Sequence, residues 1–409
     1  MATENLQLKS EGIRKAVGGV RGNIWKMYAI AAVNDAMFLI PVIVPFFREN
    51  GLTIGDVFWL QGIFALAIVV LEIPSGYLSD RWGRKKTMLV GSVMGVTGML
   101  WYGLSFSFWG FVVGEIMLAV GNSCFSGTQE AMIGDTLLEL NEGDDYRRVA
   151  GQQRFYGFSA EAVASVAGGL IALVSLRATV WATIIPFAIS LVLVTLLQEP
   201  KRHKLQETRH FRAMWDITTH TLVRNIPLRS VVVINAVISC LTLTLVWFTQ
   251  PYQTLVGLPL VLFGVTHAVI MICAGLASKW THKFQGRVDD RIILMLIAGV
   301  VVGSYVALGA VTSLWGLAWL FTGRVMWGFL TPITSDMVNR MTVSSVRATV
   351  HSASSFARSL LFAAVSPMVG YIADVLTLNQ ALMLTGVVSG VVVTIVFLLT
   401  APVWRLMPK

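Results

Sequence analysis

The stretch GYLSDRWGRKK, from Gly76 to Lys86, determines how the rest of the chain can be interpreted. It holds four cations, one aspartate and two glycines, and long apolar stretches lie on both sides of it. Such a short, strongly basic segment between apolar stretches is unusual in a soluble protein. It is typical of a tight hairpin at the cytoplasmic surface of a membrane.

The composition of the whole chain supports a membrane location. Of its 409 residues, 55% are hydrophobic and 13% are charged, whereas a soluble domain has about 25% charged residues. Apolar runs of about 20 residues recur along the chain, and each is long enough to cross a bilayer. Spanning strands are excluded, because they would be shorter and would alternate strictly. The first 26 residues are basic and polar, and we expect no cleaved signal peptide there.

The distribution of positive charge predicts the orientation of the chain. Of the 31 lysines and arginines, only Arg48 and Arg177 fall in loops on one side, and three lie inside spans. All the others lie on the opposite side, which by the positive-inside rule is the cytoplasm. Both termini and the segment 76–86 are therefore expected to be cytoplasmic, in contact with anionic lipid headgroups. The net charge of +9 consequently does not indicate nucleic acid as a partner.

The apolar pattern predicts an all-α membrane protein with twelve transmembrane helices. A basic N-terminus (1–26) precedes six spans (27–197), a cytoplasmic linker (198–228), six further spans (229–401) and a short tail (402–409). Residues 211–222 within the linker are predicted to form an interfacial helix, and a disordered tether is the alternative for the first half of the linker. The expected spans are 27–47, 56–78, 86–105, 109–137, 148–174, 177–197, 229–250, 259–280, 290–312, 315–339, 347–374 and 380–401.

The segment 76–86 resembles the signature of the major facilitator superfamily, G-x-x-x-D-R/K-x-G-R/K-K/R, which lies between the second and third helices. The matching residues are Gly76, Asp80, Arg81, Gly83, Arg84 and Lys85. The resemblance implies two pseudo-symmetric six-helix bundles, a substrate site near the bilayer midplane and rocking between the bundles. Weak matches between the halves agree with such a repeat, for example PFFRENGL at 45–52 with PYQTLVGL at 251–258. We expect a monomer.

The signature loop is expected to act in conformational change and not in substrate binding. Gly76 and Gly83 would permit close packing and a chain reversal. Asp80 is suited to face the N-terminus of a neighbouring helix, where free N–H groups favour an anion. The resemblance implies that Asp80 latches the N-terminal half to the C-terminal half near the eleventh span. The alternative is that the loop only supplies charges that orient the chain.

Ionisable residues inside the predicted spans are the strongest candidates for a functional site, because a charge there is costly unless it is paired or hydrated. Asp35, which follows Asn34 in the first span, is the first candidate for proton coupling, with a structural carboxylate as the alternative. Glu115 is a second titrating site or a contact for a cationic substrate. Arg154 and Glu161 share one face of the fifth span and are further candidates for proton coupling. Arg154 is expected to pair with Asp35, Glu115, Glu130 or Asp135.

The candidates for substrate contacts come from both halves of the chain. Arg324 and Arg358 lie near the middle of the tenth and eleventh spans. Either they meet the acids of the N-terminal half in one closed state, or they bind an anionic group of the substrate. Asn34 and Asn235 occupy similar positions in the first and seventh spans and are the further candidates for binding. The cysteines Cys124, Cys240 and Cys273 match no metal or redox spacing.

These features predict a secondary active transporter of a small organic solute, driven by a proton gradient and without a bound cofactor. No nucleotide-binding motif and no catalytic set is present in the sequence, so an enzyme is not expected. The pattern resembles bacterial drug or metabolite exporters of the superfamily, in the inner membrane. Such exporters commonly carry a Gly-Pro pair in span five, which has Gly157, Gly168 and Gly169 here but no proline. Import or uniport of an organic anion, and translocation of a lipid or siderophore, therefore remain alternatives.

Overall fold

The computed structural model describes residues 19–201, 225–281, 287–342 and 347–406, and in them the chain is helical with no strand. The expected all-α fold class is confirmed. Fourteen α-helices are present in these ranges: α1 (Gly22–Asp35), α2 (Ile43–Glu49), α3 (Ile54–Trp82), α4 (Arg84–Leu104), α5 (Phe108–Phe125), α6 (Thr128–Glu139), α7 (Tyr146–Ile171), α8 (Leu176–Thr195), α9 (Ile226–Leu255), α10 (Val261–Trp280), α11 (Asp290–Ala310), α12 (Gly316–Met341), α13 (Arg347–Val375) and α14 (Leu378–Thr400). The predicted interfacial helix at 211–222 lies outside the described residues.

The helices match the predicted spans to within a few residues, and two of the spans are interrupted. The first consists of α1 and α2, joined by a non-helical stretch and a 3-10 turn at Ile40–Val42. The fourth consists of α5 and α6, which are separated at Gly127, a residue with φ of +53°. Within the described part of the chain, ten spans are long and apolar enough to cross a membrane. The remaining two helices, α7 and α12, are each 26 residues long and more polar. They carry three of the charged candidate residues, Arg154, Glu161 and Arg324.

Pro41 contributes to the break in the first span but does not account for it alone. It has no N–H to donate to the carbonyl of Met37, yet five other helices in the described part of the chain continue through a proline. α1 ends at Asp35, and Ala36 after it has φ of −76° and ψ of 64°. A functional candidate therefore lies at the end of a helix inside the first span, where the sequence predicts continuous helix.

The described residues form two compact units, and neither is a continuous part of the chain. The first unit takes its residues from Met1–Ile40 and Val70–Lys204, and the second takes them from Pro41–Val69 and Leu205–Lys409. In the first unit α1 packs on α7 and α8, and α4 packs on α5 and α8. In the second unit α9 packs on α12 and α13, and α11 packs on α12 and α14. Residues 41–69, which belong to the first two spans, thus pack with the C-terminal helices.

The reversal at the signature loop occurs at Gly83 alone. Gly83 is the single residue between α3 and α4 and has φ of +113°, which a residue with a side chain rarely adopts. An added Cβ there would also lie 2.8 Å from Oε1 of Glu199. Gly76, in contrast, lies within α3, and a Cβ added to it would meet open space. The expected close packing at Gly76 is therefore not observed.

Candidate functional site

Asp35 lies where the first span stops being helical, and its surroundings come from α7. Gly157 of α7 is so close that an added Cβ would overlap the Asp35 carboxylate. One face of α7 continues to Gly168, whose added Cβ would overlap the carbonyl of Phe38 in the broken stretch. The glycines of the fifth span therefore make room for the interruption of the first span. Asp35 is exposed on its other side.

The charged neighbours of Asp35 also lie on α7. Arg154 and Glu161 are both close enough to interact electrostatically with the Asp35 carboxylate, one with attraction and the other with repulsion. An Nη atom of Arg154 lies 4.0 Å from Oε1 of Glu130 on α6, and both side chains are largely exposed. Of the partners predicted for Arg154, Glu130 is thus the one within ion-pair distance. Asn34 is half-buried next to Asp35.

Glu115 lies in a different part of the first unit. It is 4% exposed and interacts with the buried hydroxyl of Tyr102, so it links α5 to α4. Gly114 beside it has no room for a side chain, because the Tyr102 ring packs against it with 2.6 Å between Cε2 and an added Cβ. Asp35, Arg154 and Glu161 therefore form one group, and Glu115 forms another with Tyr102.

Arg324 is buried inside the second unit, with 7% of its surface exposed. One of its guanidinium nitrogens donates to Oγ1 of Thr249 on α9, at 3.2 Å. The neighbouring Gly323 lies against Leu245 and Ser304, where an added Cβ would approach to 2.7 and 2.8 Å. Arg324 therefore joins α12 to α9 within the C-terminal bundle, and its position is less open to a solute than that of Arg358.

Arg358 lies on α13, one turn from a cluster of polar side chains. The amide of Asn235 on α9 donates to Oγ of Ser354 at 2.9 Å, and Ser239 donates to Oδ1 of Asn235 at 3.3 Å. Ser354 precedes Arg358 by four residues, so the two share one face of α13. Arg358 is half-buried. An arginine, an asparagine and two serines thus line one small region of the second unit.

The signature loop forms a network of ion pairs and helix caps in the first unit. The Arg84 guanidinium donates to Oδ2 of Asp135 at 3.0 Å, to Oδ1 of Asp80 at 2.6 Å and to Oγ of Ser79 at 2.8 Å. The Asp80 side chain is 72% exposed. Arg81 is exposed and Lys85 half-buried. The network fixes Arg84 at the start of α4.

Glu199 contributes to this network and was missed in the sequence. Its carboxylate accepts from the backbone N–H of Arg84 at 2.8 Å and from that of Lys85 at 2.9 Å. Glu199, and not Asp80, therefore caps the N-terminus of α4. Glu199 lies just after α8, more than 100 residues from the start of α4. In the sequence, only its negative charge could have suggested that it caps α4. Ser354 was missed as well, although its spacing of four residues from Arg358 was a usable signal.

The chain is similar in sequence to known membrane transporters. The profile described as Major Facilitator Superfamily matches residues 25–366. Two relatives in sequence are the "Uncharacterized transporter BU466" of Buchnera aphidicola subsp. Acyrthosiphon pisum (strain APS), 30% identical over 105 residues, and the "Peptide transporter YePEPT" of Yersinia enterocolitica subsp. palearctica serotype O:3 (strain YE-P4), 26% identical over 137 residues. These alignments cover 24% and 32% of this chain and 26% of each relative.

The fold is also that of solved transporters. A crystal structure of the nucleoside transporter NupG superposes with a TM-score of 0.78, and the superposition covers 91% of this chain and 98% of that protein. The two sequences are 10% identical, so this likeness concerns the fold alone.

Proposed function

The chain belongs to the major facilitator superfamily, and we propose that it moves a small organic solute in exchange for protons, with Asp35 as the proton-binding group. As a member of this superfamily, the protein is a multi-pass membrane transporter of small solutes. We propose further that it resides in a bacterial inner membrane with both termini in the cytoplasm, and that transport runs outward.

The observation that carries the proposal is the position of Asp35 at the break of the first span. A carboxylate inside a membrane span is costly unless it has a function or a partner. Here the break leaves backbone groups near Asp35 outside the helical pattern, an arrangement typical of substrate and ion sites in transporters with interrupted helices. The Glu161 carboxylate repels the Asp35 carboxylate and the Arg154 cation attracts it. Binding of a proton or of a cationic solute at Asp35 would change this balance.

The proton exchange needs only residues of this chain. In one state of the transporter the Asp35 carboxylate takes up a proton and becomes neutral. In the other state it releases the proton, and the carboxylate again attracts Arg154. Because alternating access exposes the same site to each side in turn, uptake on one side and release on the other carry one proton per cycle through Asp35.

The cluster around Arg358 favours a second candidate function, the binding of a solute that carries an anionic group. Guanidinium binds carboxylate or phosphate through two parallel hydrogen bonds. Asn235, Ser239 and Ser354 add donors and acceptors within the same unit. An importer or uniporter of organic anions would use this cluster without Asp35, whereas a proton-coupled carrier would use both.

A thermal-shift screen of the purified protein tests these functions together. The compounds should include matched anionic, cationic and neutral solutes, each measured at two pH values, because a ligand that binds the folded state raises the melting temperature. Proton exchange at Asp35 predicts a ligand whose stabilising effect depends on pH in the unmodified protein but not in Asp35→Asn. A ligand whose effect is the same at both pH values and is insensitive to Asp35→Asn would favour the anion uniporter.

A further inference from the structure

The end of α13 is fastened to the start of α3 by one carboxylate. Oδ1 of Asp374 accepts from the backbone N–H of Gly55 at 2.8 Å, and Oδ2 accepts from the hydroxyl of Thr53 at 2.7 Å. Thr53 directly precedes α3, and Gly55 lies in its first turn, where N–H groups lack partners within the helix and the helix dipole favours a negative charge. All three residues lie in the second compact unit. Asp374 thus caps a helix to which it is not joined in sequence.

The approach of the carboxylate depends on the missing side chain at Gly55. A Cβ added to Gly55 would lie 2.7 Å from Cγ of Asp374 and 3.0 Å from the carbonyl oxygen of Gly370. A Cβ added to Gly370 would in turn lie 3.0 Å from Cα of Gly55. The two backbones therefore touch at this point.

A second hydrogen bond lies one to two turns further along the same pair of helices. The hydroxyl of Ser366 donates to the backbone carbonyl of Phe58 at 2.5 Å. Ser366, Gly370 and Asp374 are spaced by four residues and share one face of α13. Because later residues of α13 contact earlier residues of α3, the two helices run antiparallel.

The short helix α2 is tied to the C-terminal half in a separate place. The backbone N–H of Val44 donates to Oε1 of Gln250 on α9 at 2.8 Å. Nearby, the rings of Phe58 and Phe248 lie 5.0 Å apart. Within the segment 41–69, α2 and the first part of α3 are therefore both bound to helices of the C-terminal half. The neutral amide of Gln250 binds α2, and the charged carboxylate of Asp374 binds α3.

We infer that Asp374 is a clamp that holds the outer part of the first two spans against the C-terminal half and that must release when the outer side of the transporter opens. This inference rests on the alternating access assumed in the proposed function. Residues 53–62 move with the C-terminal half while the clamp is closed, and residues 70–82 of the same helix belong to the other unit. Release of Asp374 frees the outer turns of α3 without breaking a covalent or metal bond.

The clamp mirrors the latch that the signature loop implies. In α3 and α13 alike, an aspartate lies close to the C-terminal end of the helix: Asp80 in α3 and Asp374 in α13. In this scheme, Asp374 holds the outer side closed in one half of the cycle, and the latch that the resemblance implies for Asp80 acts in the other half.

Cys240 offers a probe for the state of the clamp. It is 3% exposed and is packed against Ala65 of α3 and Phe362 of α13. When α3 separates from α13, the Cys240 thiol becomes accessible to a water-soluble maleimide. The variant Cys124→Ser with Cys273→Ser leaves it as the single thiol, and purified protein in nanodiscs makes the measurement independent of orientation and of any substrate.

The test compares Asp374→Ala with Asp56→Ala in this background. Asp56 lies in the first turn of α3, and its carboxylate accepts from the backbone N–H of Thr53 while its own N–H donates to the Thr53 hydroxyl. Asp56→Ala therefore removes a carboxylate that caps the same turn locally and has no described hydrogen bond to α13. We expect Asp374→Ala to raise the rate of Cys240 labelling about tenfold, because a lost charge-assisted hydrogen bond changes a population by about that factor. Asp56→Ala should leave the rate unchanged. Gly55→Ala should act like Asp374→Ala, although it keeps the carboxylate.

Equal labelling rates in Asp374→Ala, Gly55→Ala and Asp56→Ala would overturn the clamp. This outcome is distinct from a failure of the proposed function, because labelling needs neither a substrate nor proton coupling. If Asp374→Ala does not fold, the Cys240 labelling rates of Gly55→Ala and Asp56→Ala still test the clamp.

Discussion

At the residue scale, the account depends on the contact between Asp35 and Gly157. Both residues were visible in the sequence, and the polar pair Asn34–Asp35 in an apolar run predicted a functional position. Their contact could not be predicted, because it requires the first span to break and α7 to approach at a glycine. Glu115 also stood out in the sequence, because it lies in an apolar span. In the structure its partner is Tyr102, so we expect its role there to be structural.

The Asp35–Gly157 contact makes a direct prediction. Gly157→Ala adds a methyl group that would overlap the Asp35 carboxylate, so we expect the carboxylate to move and proton-coupled transport to fall at least tenfold. Overpacking of this kind costs about 1–3 kcal/mol, which should lower the melting temperature moderately. Gly151→Ala on the same helix is the matched control, since no atom lies within 4 Å of its added Cβ. Equal transport rates in the two variants would remove Gly157 from the site.

The two arginines of the C-terminal half should respond differently to the same substitution. Arg324 is buried and bonded to Thr249, so Arg324→Gln should lower the melting temperature and impair all solutes alike. Arg358→Gln should weaken anionic solutes more than cationic ones. Binding of a charge-matched solute series to both variants is the measurement. Equal losses for anions and cations in Arg358→Gln would assign a structural role to Arg358.

At the element scale, the number and ends of the helices followed from the apolar runs, whereas their interruptions did not. A run of apolar residues looks the same whether or not Pro41 stops the helix within it. The hairpin between α3 and α4 was expected from glycine and charge, but only the structure shows that Gly83 makes the turn and that Glu199 caps α4. A cap supplied from far away in the sequence leaves no local pattern.

The signature loop supplies a prediction about folding stability. Gly83→Ala places a side chain at φ of +113° and against the Glu199 carboxylate, so we expect a loss of about 1–3 kcal/mol. Gly76→Ala lies in open space inside α3 and should be neutral or stabilising by up to about 1 kcal/mol. Thermal unfolding of the two purified variants checks this difference. A larger loss for Gly76→Ala would mean that Gly76 packs against something in another state of the protein.

At the scale of the whole molecule, the sequence predicted the superfamily and two groups of six spans from one loop and the charge distribution. It gave no indication that residues 41–69 pack with the C-terminal helices. That arrangement comes from single polar contacts, such as those of Asp374 and Gln250, between residues separated by 200 positions or more in the chain. Such pairs have no signature in one sequence.

A covalent version of the Asp374 clamp should stop the transport cycle. Thr53→Cys with Asp374→Cys replaces two side chains whose oxygens lie 2.7 Å apart, and a disulfide between them would hold the outer side closed. We expect transport to be lost on oxidation and restored by a reductant. Thr53→Cys alone is the control and should not respond to oxidation. Undiminished transport by the cross-linked protein would show that α3 and α13 need not separate here.

The central claim, that Asp35 carries the transported proton, is tested most directly by proton flux in proteoliposomes. The protein is reconstituted with a pH-sensitive dye inside, and an identified ligand is added on one side. We expect a ligand-induced proton flux that is abolished in Asp35→Asn, while the melting temperature is preserved and the loop variant Asp145→Asn behaves like the unmodified protein. An undiminished flux in Asp35→Asn would contradict it.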